Sequence, residues 1–187
     1  MTLVVSTSSP LASAALFDAD DRLLREGSMM APQAASSKAA EVVRAVLDGE
    51  RPARIAVDVG PGGFTSVRAA LALGKALSWA WGIPLGALSS FDLVSTSLSV
   101  AIPAKKGTWW LRAAGTQPLL VTDPAGAVGY RLAGGEDRFP YAGAAALLLA
   151  SVAWTDPAAV MPAYLAEPSI SMPKGGSFPA APGQSQG

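Results

Sequence analysis

The sequence predicts an α/β protein. Short β-branched stretches, such as residues 54–59, alternate with two longer segments that have helical patterns, residues 37–47 and 65–81. Three glycines and a proline, within residues 60–63, join that strand to the second helix. Strands that alternate with helices usually form a sheet covered by helices, so these observations favour an α/β architecture. The 187 residues, half of them hydrophobic, suffice for the core of one or two small domains.

A meander of three strands is predicted at the start of the chain. Residues 3–7 and 12–17 are expected to pair around a Ser-Ser-Pro turn, and residues 22–29 form the third strand. The acidic turn at residues 18–21 holds three aspartates, Asp18, Asp20 and Asp21, which are candidate ligands for a metal ion. Because Asp is a good turn former, we interpret it as a solvated hairpin turn.

The glycine loop raises the question of phosphate binding, since free amides at a helix N-terminus favour an anion. Its spacing argues against a standard phosphate loop. The Walker pattern needs a glycine where Ala69 stands, and a dinucleotide fingerprint needs one where Thr65 stands. We therefore interpret the loop as a tight strand-to-helix turn, with Thr65 or Ser66 capping the helix. Asp58, just before the loop, is expected to anchor it by accepting amide hydrogen bonds.

The helix predicted over residues 65–81 is apolar nearly all round. Such a helix should be covered on two sides, by its own sheet and by something else. The helix at residues 37–47 is expected to supply part of that cover. Further along the chain, the patterns predict a strand at 83–88, a short helix at 89–98, a hairpin at 100–110, strands at 117–122 and 127–132, and a largely buried helix at 141–154.

Composition excludes several classes of function. The chain has no cysteine and no histidine, which removes thiol catalysis, Ser-His-Asp chemistry and the commonest transition-metal ligands. An oxygen-ligand Mg²⁺ site remains possible. Fourteen basic and fourteen acidic residues balance, so tight binding of tRNA by this chain alone is not expected. With neither a signal peptide nor a membrane span in the pattern, we expect a cytoplasmic protein.

Residues 60–68, which read Gly-Pro-Gly-Gly-Phe-Thr-Ser-Val-Arg, resemble the Gly-x-Gly-Ser-Phe-Thr-Gly-Leu-Arg signature of the TsaB family, also called YeaZ. Phe64, Thr65 and Arg68 keep their spacing, whereas Gly63 and Ser66 depart from it. Residues 161–166, Met-Pro-Ala-Tyr-Leu-Ala, are similar to the Pro-x-Tyr-Leu-Arg ending of the family, with Ala in place of Arg. The resemblance is strong over residues 55–90 and loose elsewhere, which is typical of a divergent member.

This resemblance implies a two-lobed actin-like (ASKHA, ribonuclease-H-like) fold with mixed sheets and flanking helices. Residues 1–99 would form the first lobe, residues 100–167 a smaller second lobe, and the Pro-, Gly- and Ser-rich residues 168–187 a disordered tail. In catalytic members of this fold, an Asp on the first hairpin organises metal and phosphates. Ser6 takes that position here, and Pro103 and Thr108 replace two carboxylates of the family hairpin.

The resemblance further implies a non-catalytic subunit that dimerises with a TsaD-like enzyme during threonylcarbamoyl transfer to the anticodon-adjacent adenosine of tRNA (t6A formation). A TsaE-like ATPase would join the full complex, tRNA would be contacted only indirectly, and the chain alone could form a homodimer. We expect no catalytic residue, cofactor or metal of its own. The expected partner interface comprises Gly62, Gly63, Phe64, Val67, Arg68, Leu73, Ala76, Ala80, Val42, Val43 and Val46.

Three other functions stay open at this point. An actin-like nucleotide-binding ATPase or kinase would use the glycine loop on phosphate. A peptidase, a label attached to the wider family, has little chemical basis without His, Cys or a metal constellation. A self-associating structural protein would pair its small-residue helices with those of a second copy.

Overall fold

The computed structural model describes residues 1–32, 34–105, 107–133 and 136–165. The strands of its first sheet are β1 (Thr2–Ser6), β2 (Leu11–Phe17), β3 (Leu23–Met30), β4 (Arg54–Asp58) and β5 (Leu85–Leu88). Their order in the sheet is β3-β2-β1-β4-β5. The predicted meander is present, because β2 pairs antiparallel with both β1 and β3, while β4 and β5 continue the sheet in parallel.

The strands of a second sheet are β6 (Val100–Pro103), β7 (Trp109–Arg112), β8 (Leu119–Val121) and β9 (Val128–Gly129). Their order is β8-β7-β6-β9. Here β6 and β7, and β7 and β8, pair antiparallel, and β9 joins β6 in parallel. This repeats the order and directions of β3-β2-β1-β4 in the first sheet. The described residues therefore form two mixed sheets, as the family resemblance implies.

Two long helices, α1 (Ala35–Leu47) and α2 (Phe64–Trp81), cover one face of the first sheet, and a short α3 (Ser90–Val94) follows β5. The shared core includes Val42, Val43 and Val46 from α1 and strand residues such as Leu3 and Val57. Alternating strand positions supply this face because successive side chains point to opposite sides of a sheet. Gly74 lets α2 approach β4 closely, since a Cβ atom there would overlap the Val57 side chain.

On the opposite face of the first sheet, one prediction is wrong. Residues 141–154 do not form a largely buried α-helix but two 3₁₀ segments, Ala142–Leu147 and Leu149–Ser151, with Leu147 89% exposed. In a 3₁₀-helix, residues three apart lie on one face, so Ala142 and Ala145 both contact the sheet. The Ser13 hydroxyl accepts a hydrogen bond from the Ala142 amide at 3.0 Å and fixes the start of the first segment.

The chain returns to the first sheet before residue 165. Thr155 and Leu85 exchange two backbone hydrogen bonds of 3.0 Å, and the Ala163 amide donates to the Val59 carbonyl at 2.8 Å. A lobe made of residues 100–167 stays a prediction, since part of this range packs on the sheet of residues 1–99. The predicted tail, residues 168–187, lies outside the described residues. Within the described ranges, no helix is both long and apolar enough to cross a membrane.

Candidate functional site

The glycine loop packs tightly on the turn between β1 and β2. The Gly63 amide donates to the Ser8 carbonyl at 2.9 Å, and a Cβ atom at Gly62 would overlap that same carbonyl oxygen. Gly60 has a φ of 102°, in the region that favours glycine. The glycines therefore serve a close backbone approach and a left-handed turn, which confirms the interpretation of residues 60–63 as a tight strand-to-helix connection.

Asp58 anchors this region from the end of β4. Its fully buried carboxylate accepts hydrogen bonds from the hydroxyls of Ser6 at 2.6 Å, Ser8 at 2.5 Å and Ser90 at 2.5 Å, and from the Gly60 amide at 2.9 Å. Burial raises the pKa of Asp58 above its usual value, while the three serine hydroxyls and the amide act in the opposite direction. The predicted anchoring role is confirmed, and the carboxylate ties three segments of the chain together: the β1–β2 turn region, the glycine loop and the start of α3.

The same contacts close the turn where catalytic members of the fold organise metal and phosphate. Residues 6–9 are at most 5% exposed, and the Ser6 hydroxyl is engaged by Asp58. Among the described residues, no group of three or more acidic, His or Cys side chains could hold a metal ion. The predicted acidic turn at residues 18–21 instead caps its own backbone, because Asp18 Oδ1 accepts from the Asp20 and Arg22 amides.

The start of α2 differs from the sequence-based prediction. Neither Thr65 nor Ser66 caps the helix: Gly63 occupies the N-cap position, and no side chain bonds to the first turn there. The Ser66 carbonyl accepts a 2.6 Å hydrogen bond from the Thr7 hydroxyl, which fastens the first turn to the β1–β2 turn instead. The first turn also carries no acidic residue. The hydroxyl residues Thr65 and Ser66 at the start of the helix are therefore a misleading signal for a cap. This end of the helix is held by the tertiary contact with Thr7 instead.

The residues predicted for a partner interface divide into two groups. Val42, Val43, Val46 and Val67 are buried in the core of this chain, so they support the helices from inside. Gly63, Phe64, Arg68, Ala76 and Ala80 are exposed, while Gly62 and Leu73 are partly buried. The interface itself stays a prediction, but its surface members are those of the second group.

Two further residues share the outer surface of α2 and were missing from that prediction. Ala72 is exposed, and Trp79 is 63% exposed. Ala72 lies four residues from both Arg68 and Ala76, and Trp79 lies three residues from Ala76. This helical spacing is the signal that would have found them. We call this surface the outer face of α2: Phe64, Arg68, Ala72, Ala76, Trp79 and Ala80. Apart from Arg68 it carries no charge.

Phe64, Arg68 and Tyr164 form a cluster at the N-terminal end of the outer face. The Phe64 and Tyr164 rings stack with centroids 5.6 Å apart, and the Arg68 guanidinium lies 3.9 Å from the Phe64 centroid. This cluster joins the two stretches that resemble family signatures, although they lie far apart in the chain. Toward the C-terminal end of α2, α1 and α2 border a shallow groove of about 350 Å³, whose apolar wall residues are Ala40, Val43, Leu47, Leu73, Leu77 and Trp81.

Comparison with known proteins agrees with this architecture. Residues 40–108 match the family described as "TsaD: tRNA N6-adenosine threonylcarbamoyltransferase", a segment that includes the glycine loop and α2. One similar solved structure is an uncharacterized Pseudomonas aeruginosa protein with similarity to peptidase YEAZ, with a TM-score of 0.72 and 20% identity, covering 88% of this chain and 99% of that chain. No curated protein sequence matches the chain.

A second solved structure, YeaZ from Pseudomonas aeruginosa, has a TM-score of 0.71 and 21% identity and covers 88% of this chain and 99% of that one. At this identity the likeness shows the fold. The agreement extends over nearly the whole of the YeaZ chain, and it confirms the predicted actin-like fold with two mixed sheets and flanking helices. The resemblance first seen in the glycine loop is thereby confirmed at the level of the fold: the chain shares the fold of Pseudomonas aeruginosa YeaZ, and its residues 40–108 are similar to the TsaD family.

Proposed function

We propose that this chain is a non-catalytic subunit that dimerises with a TsaD-like enzyme and supports threonylcarbamoyl transfer to the anticodon-adjacent adenosine of tRNA. The observation that carries the proposal is the outer face of α2, which is apolar and exposed over more than three turns. The TsaD-family match of residues 40–108 and the YeaZ fold support it.

The outer face has the composition of a helix-packing surface. Ala72, Ala76 and Ala80 repeat at intervals of four, so they form a low ridge that lets a second helix approach closely. Trp79 stands at one end and Phe64 at the other, and large exposed aromatic side chains are common anchors of protein interfaces. A partner helix lying along α2 would bury both aromatics and the alanine ridge between them.

Support for a non-catalytic role comes from the polar groups of the glycine-loop region. The carboxylate nearest the loop, Asp58, is fully buried and accepts four hydrogen bonds from its own chain. The chain has no His or Cys to act as base or nucleophile. In this proposal the reaction belongs to the TsaD-like partner, with a TsaE-like ATPase in the full complex. A chain of zero net charge would contact tRNA only through that assembly.

The test is light scattering after size exclusion, on this protein alone and mixed with the TsaD-like protein of the same genome. We expect a one-to-one complex that Ala76→Glu weakens by about tenfold or more, because it places a charge on the alanine ridge. Ala45→Glu is the matched control, since Ala45 is exposed on α1 and lies outside the α1–α2 groove. Leu73→Glu is a poorer probe because Leu73 packs against the core.

The outcomes separate the alternatives. No complex with the TsaD-like protein, at concentrations where this protein is monomeric, would contradict the proposal. A homodimer that Ala76→Glu dissociates, without any complex, would favour the self-associating structural protein instead. A nucleotide-binding ATPase would show a higher melting temperature with millimolar ATP and Mg²⁺. We expect no such rise, because the β1–β2 turn is buried under the glycine loop.

A further inference from the structure

The two sheets of the described chain end in four edge strands, and three of these are protected against pairing with a further strand. β3 carries the charges of Arg25 and Glu26 near its centre, β5 exchanges backbone hydrogen bonds with Thr155, and β9 is only two residues long. Charge, cover and shortness are the usual devices that keep a free edge from recruiting another strand. β8 carries no charge, and no described segment bonds to its outer edge.

β8 exposes apolar side chains along this free edge. Leu119 is 66% exposed, and Leu120 is 55% exposed. In the pairing with β7, Leu119 lies opposite Leu111 and Val121 lies opposite Trp109. Because successive side chains of a strand point to opposite sides, these four side chains share one face of the second sheet. We call it the Leu119 face.

The Leu119 face has no cover among the described residues. The side chains that pack on the second sheet, such as Phe91 and Phe139, surround Val100 and Ile102, which point to the opposite face. The first sheet, by contrast, is covered on both faces, by α1 and α2 on one and by the 3₁₀ segments on the other. A sheet with two apolar faces is normally covered on both, so the second sheet lacks a covering segment.

The chain continues beyond the described residues from a position beside the second sheet. Leu165, the last described residue, packs against the cluster around Ile102. Leu165 and Leu120 also line the same cavity, of about 710 Å³, between the two sheets. When extended, residues 166–168 span about 10 Å, at about 3.3 Å per residue. The residues that follow are therefore within reach of the free edge of β8.

Residues 168–173 read Pro-Ser-Ile-Ser-Met-Pro, which alternates polar and apolar residues between two prolines. Such alternation is typical of a strand with one apolar face, and proline is tolerated at the ends of an edge strand. Ile170 and Met172 are two residues apart, as Leu119 and Val121 are, so the two pairs match as neighbours on adjacent strands. This short segment departs from the Pro-, Gly- and Ser-rich composition that predicts a disordered tail.

We infer that residues 169–172 add to the free edge of β8 as a fifth strand of the second sheet, with Ile170 and Met172 beside Leu119 and Val121. Strand addition gives partners to the free backbone groups of the edge and covers its apolar side chains. The chain's own segment is the occupant because a short tether from Leu165 gives it a high effective concentration at β8. This inference does not depend on the proposed function, which assigns partner binding to the outer face of α2.

Hydrogen exchange of the full chain, followed by NMR, tests the added strand. We expect the amides of residues 169–172, and those of β8 that do not pair with β7, to exchange at least about tenfold more slowly than in an unstructured peptide. Ile170→Asp/Met172→Asp should abolish this protection, because it places charges beside the Leu119 face, and should leave the protection of the first sheet unchanged. Ser169→Asp/Ser171→Asp is the matched control, since it adds the same charges at positions that point away from this face.

A disulfide cross-link locates the segment on the sheet. The chain has no cysteine, so a single pair can be introduced. Leu119→Cys/Ile170→Cys should form an intramolecular disulfide at least about tenfold faster than Leu147→Cys/Ile170→Cys. Leu147 is the matched control position because it is also an exposed leucine, at 89%, but lies on a 3₁₀ segment of the first sheet.

Three results would overturn the inference. The first is unprotected exchange of residues 169–172 in the wild-type protein, and the second is equal cross-linking of the two cysteine pairs. The third is an intermolecular disulfide of Leu119→Cys/Ile170→Cys without an intramolecular one, which would make a second copy of the chain the occupant. Protection that is lost in Ile170→Asp/Met172→Asp and kept in Ser169→Asp/Ser171→Asp would support the assigned orientation of the strand.

Discussion

Arg68 donates a 2.7 Å hydrogen bond from Nε to the hydroxyl of Tyr164, across 96 positions of the chain. The Phe64 ring lies under both residues, since it stacks on Tyr164 and carries the Arg68 guanidinium on its face. This contact holds the end of the described chain against the glycine loop.

The Arg68–Tyr164 contact predicts a measurable coupling. Tyr164→Phe keeps the stacked ring and removes the hydrogen bond, and because both side chains are exposed we expect a loss of about 0.5 kcal/mol in the free energy of unfolding. Tyr164→Ala also removes the stacking and should cost about 1 kcal/mol more. Urea denaturation of Arg68→Ala, Tyr164→Phe and the double variant closes the cycle. Strict additivity of the two single substitutions would contradict the contact.

Adjacent glycines in the loop should respond differently to the same substitution. Gly62→Ala drives a Cβ atom into the Ser8 carbonyl oxygen, and since backbone must move, we expect a loss of about 2–4 kcal/mol in unfolding free energy. Gly63→Ala is the matched control. Its φ is −59° and its nearest neighbour would be Ser66 Oγ at 3.5 Å, an ordinary contact.

Chemical denaturation of the two variants decides the question. Gly63→Ser should also be tolerated, because the TsaB signature has Ser at this position. If Gly62→Ala were as stable as Gly63→Ala, the close approach of the loop to the β1–β2 turn would not be the reason for glycine there.

Local patterns were sufficient for the parts of the fold that depend on near neighbours. The β1–β3 meander, β4, the glycine loop and α2 follow from β-branched runs, turn residues and helical spacing. The 3₁₀ segments at residues 142–151 could not be separated from an α-helix in this way. An Ala/Leu-rich stretch fits both, and the choice is made by contacts with β2.

The site was predictable only in part for the same reason. Asp58 was singled out because it precedes the glycine loop. Its partners come from two other segments, Ser6 and Ser8 from the β1–β2 turn region and Ser90 from α3, and no local spacing connects either segment to Asp58. The burial of Val42 and Val67 likewise depends on how α1 and α2 lie on the sheet, which the helical pattern alone leaves open.

Asp58 predicts a pH dependence of stability with a definite sign. Its pKa is raised in the folded state, so the folded chain holds this proton more tightly than the unfolded chain does. The contribution of Asp58 is therefore fully present below the unfolded pKa, about 3.9, and is lost as the pH rises through the folded pKa. Asp58→Asn removes this titration and leaves the other carboxylates in place.

We expect the stability of the wild-type protein, relative to Asp58→Asn, to fall as the pH is raised from about 4. Urea denaturation of both proteins at several pH values measures this difference, in which the other titrating groups cancel. A difference that grows with pH would mean that hydrogen bonds from the serines and Gly60 outweigh burial and lower the pKa of Asp58.

Substitutions of two tryptophans on α2 should distinguish effects on partner binding from effects on stability. Trp79 is 63% exposed on the outer face, whereas Trp81 packs against the core and under the Arg51 guanidinium. Trp79→Ala should change the free energy of unfolding by no more than about 0.5 kcal/mol, as for other exposed positions. It should weaken the complex with the TsaD-like protein by about tenfold or more, because it removes an aromatic anchor.

Trp81→Ala should lower the stability more than Trp79→Ala does and should weaken partner binding less. Loss of its core contacts is expected to cost about 1–3 kcal/mol of stability, since the side chain is only partly buried. Its effect on the complex should be smaller than that of Trp79→Ala once both variants are compared at temperatures where they are fully folded. Titration calorimetry with the TsaD-like protein, alongside urea denaturation, gives both quantities. If Trp79→Ala bound the partner as tightly as wild type, the complex would have to form through a surface other than the outer face of α2.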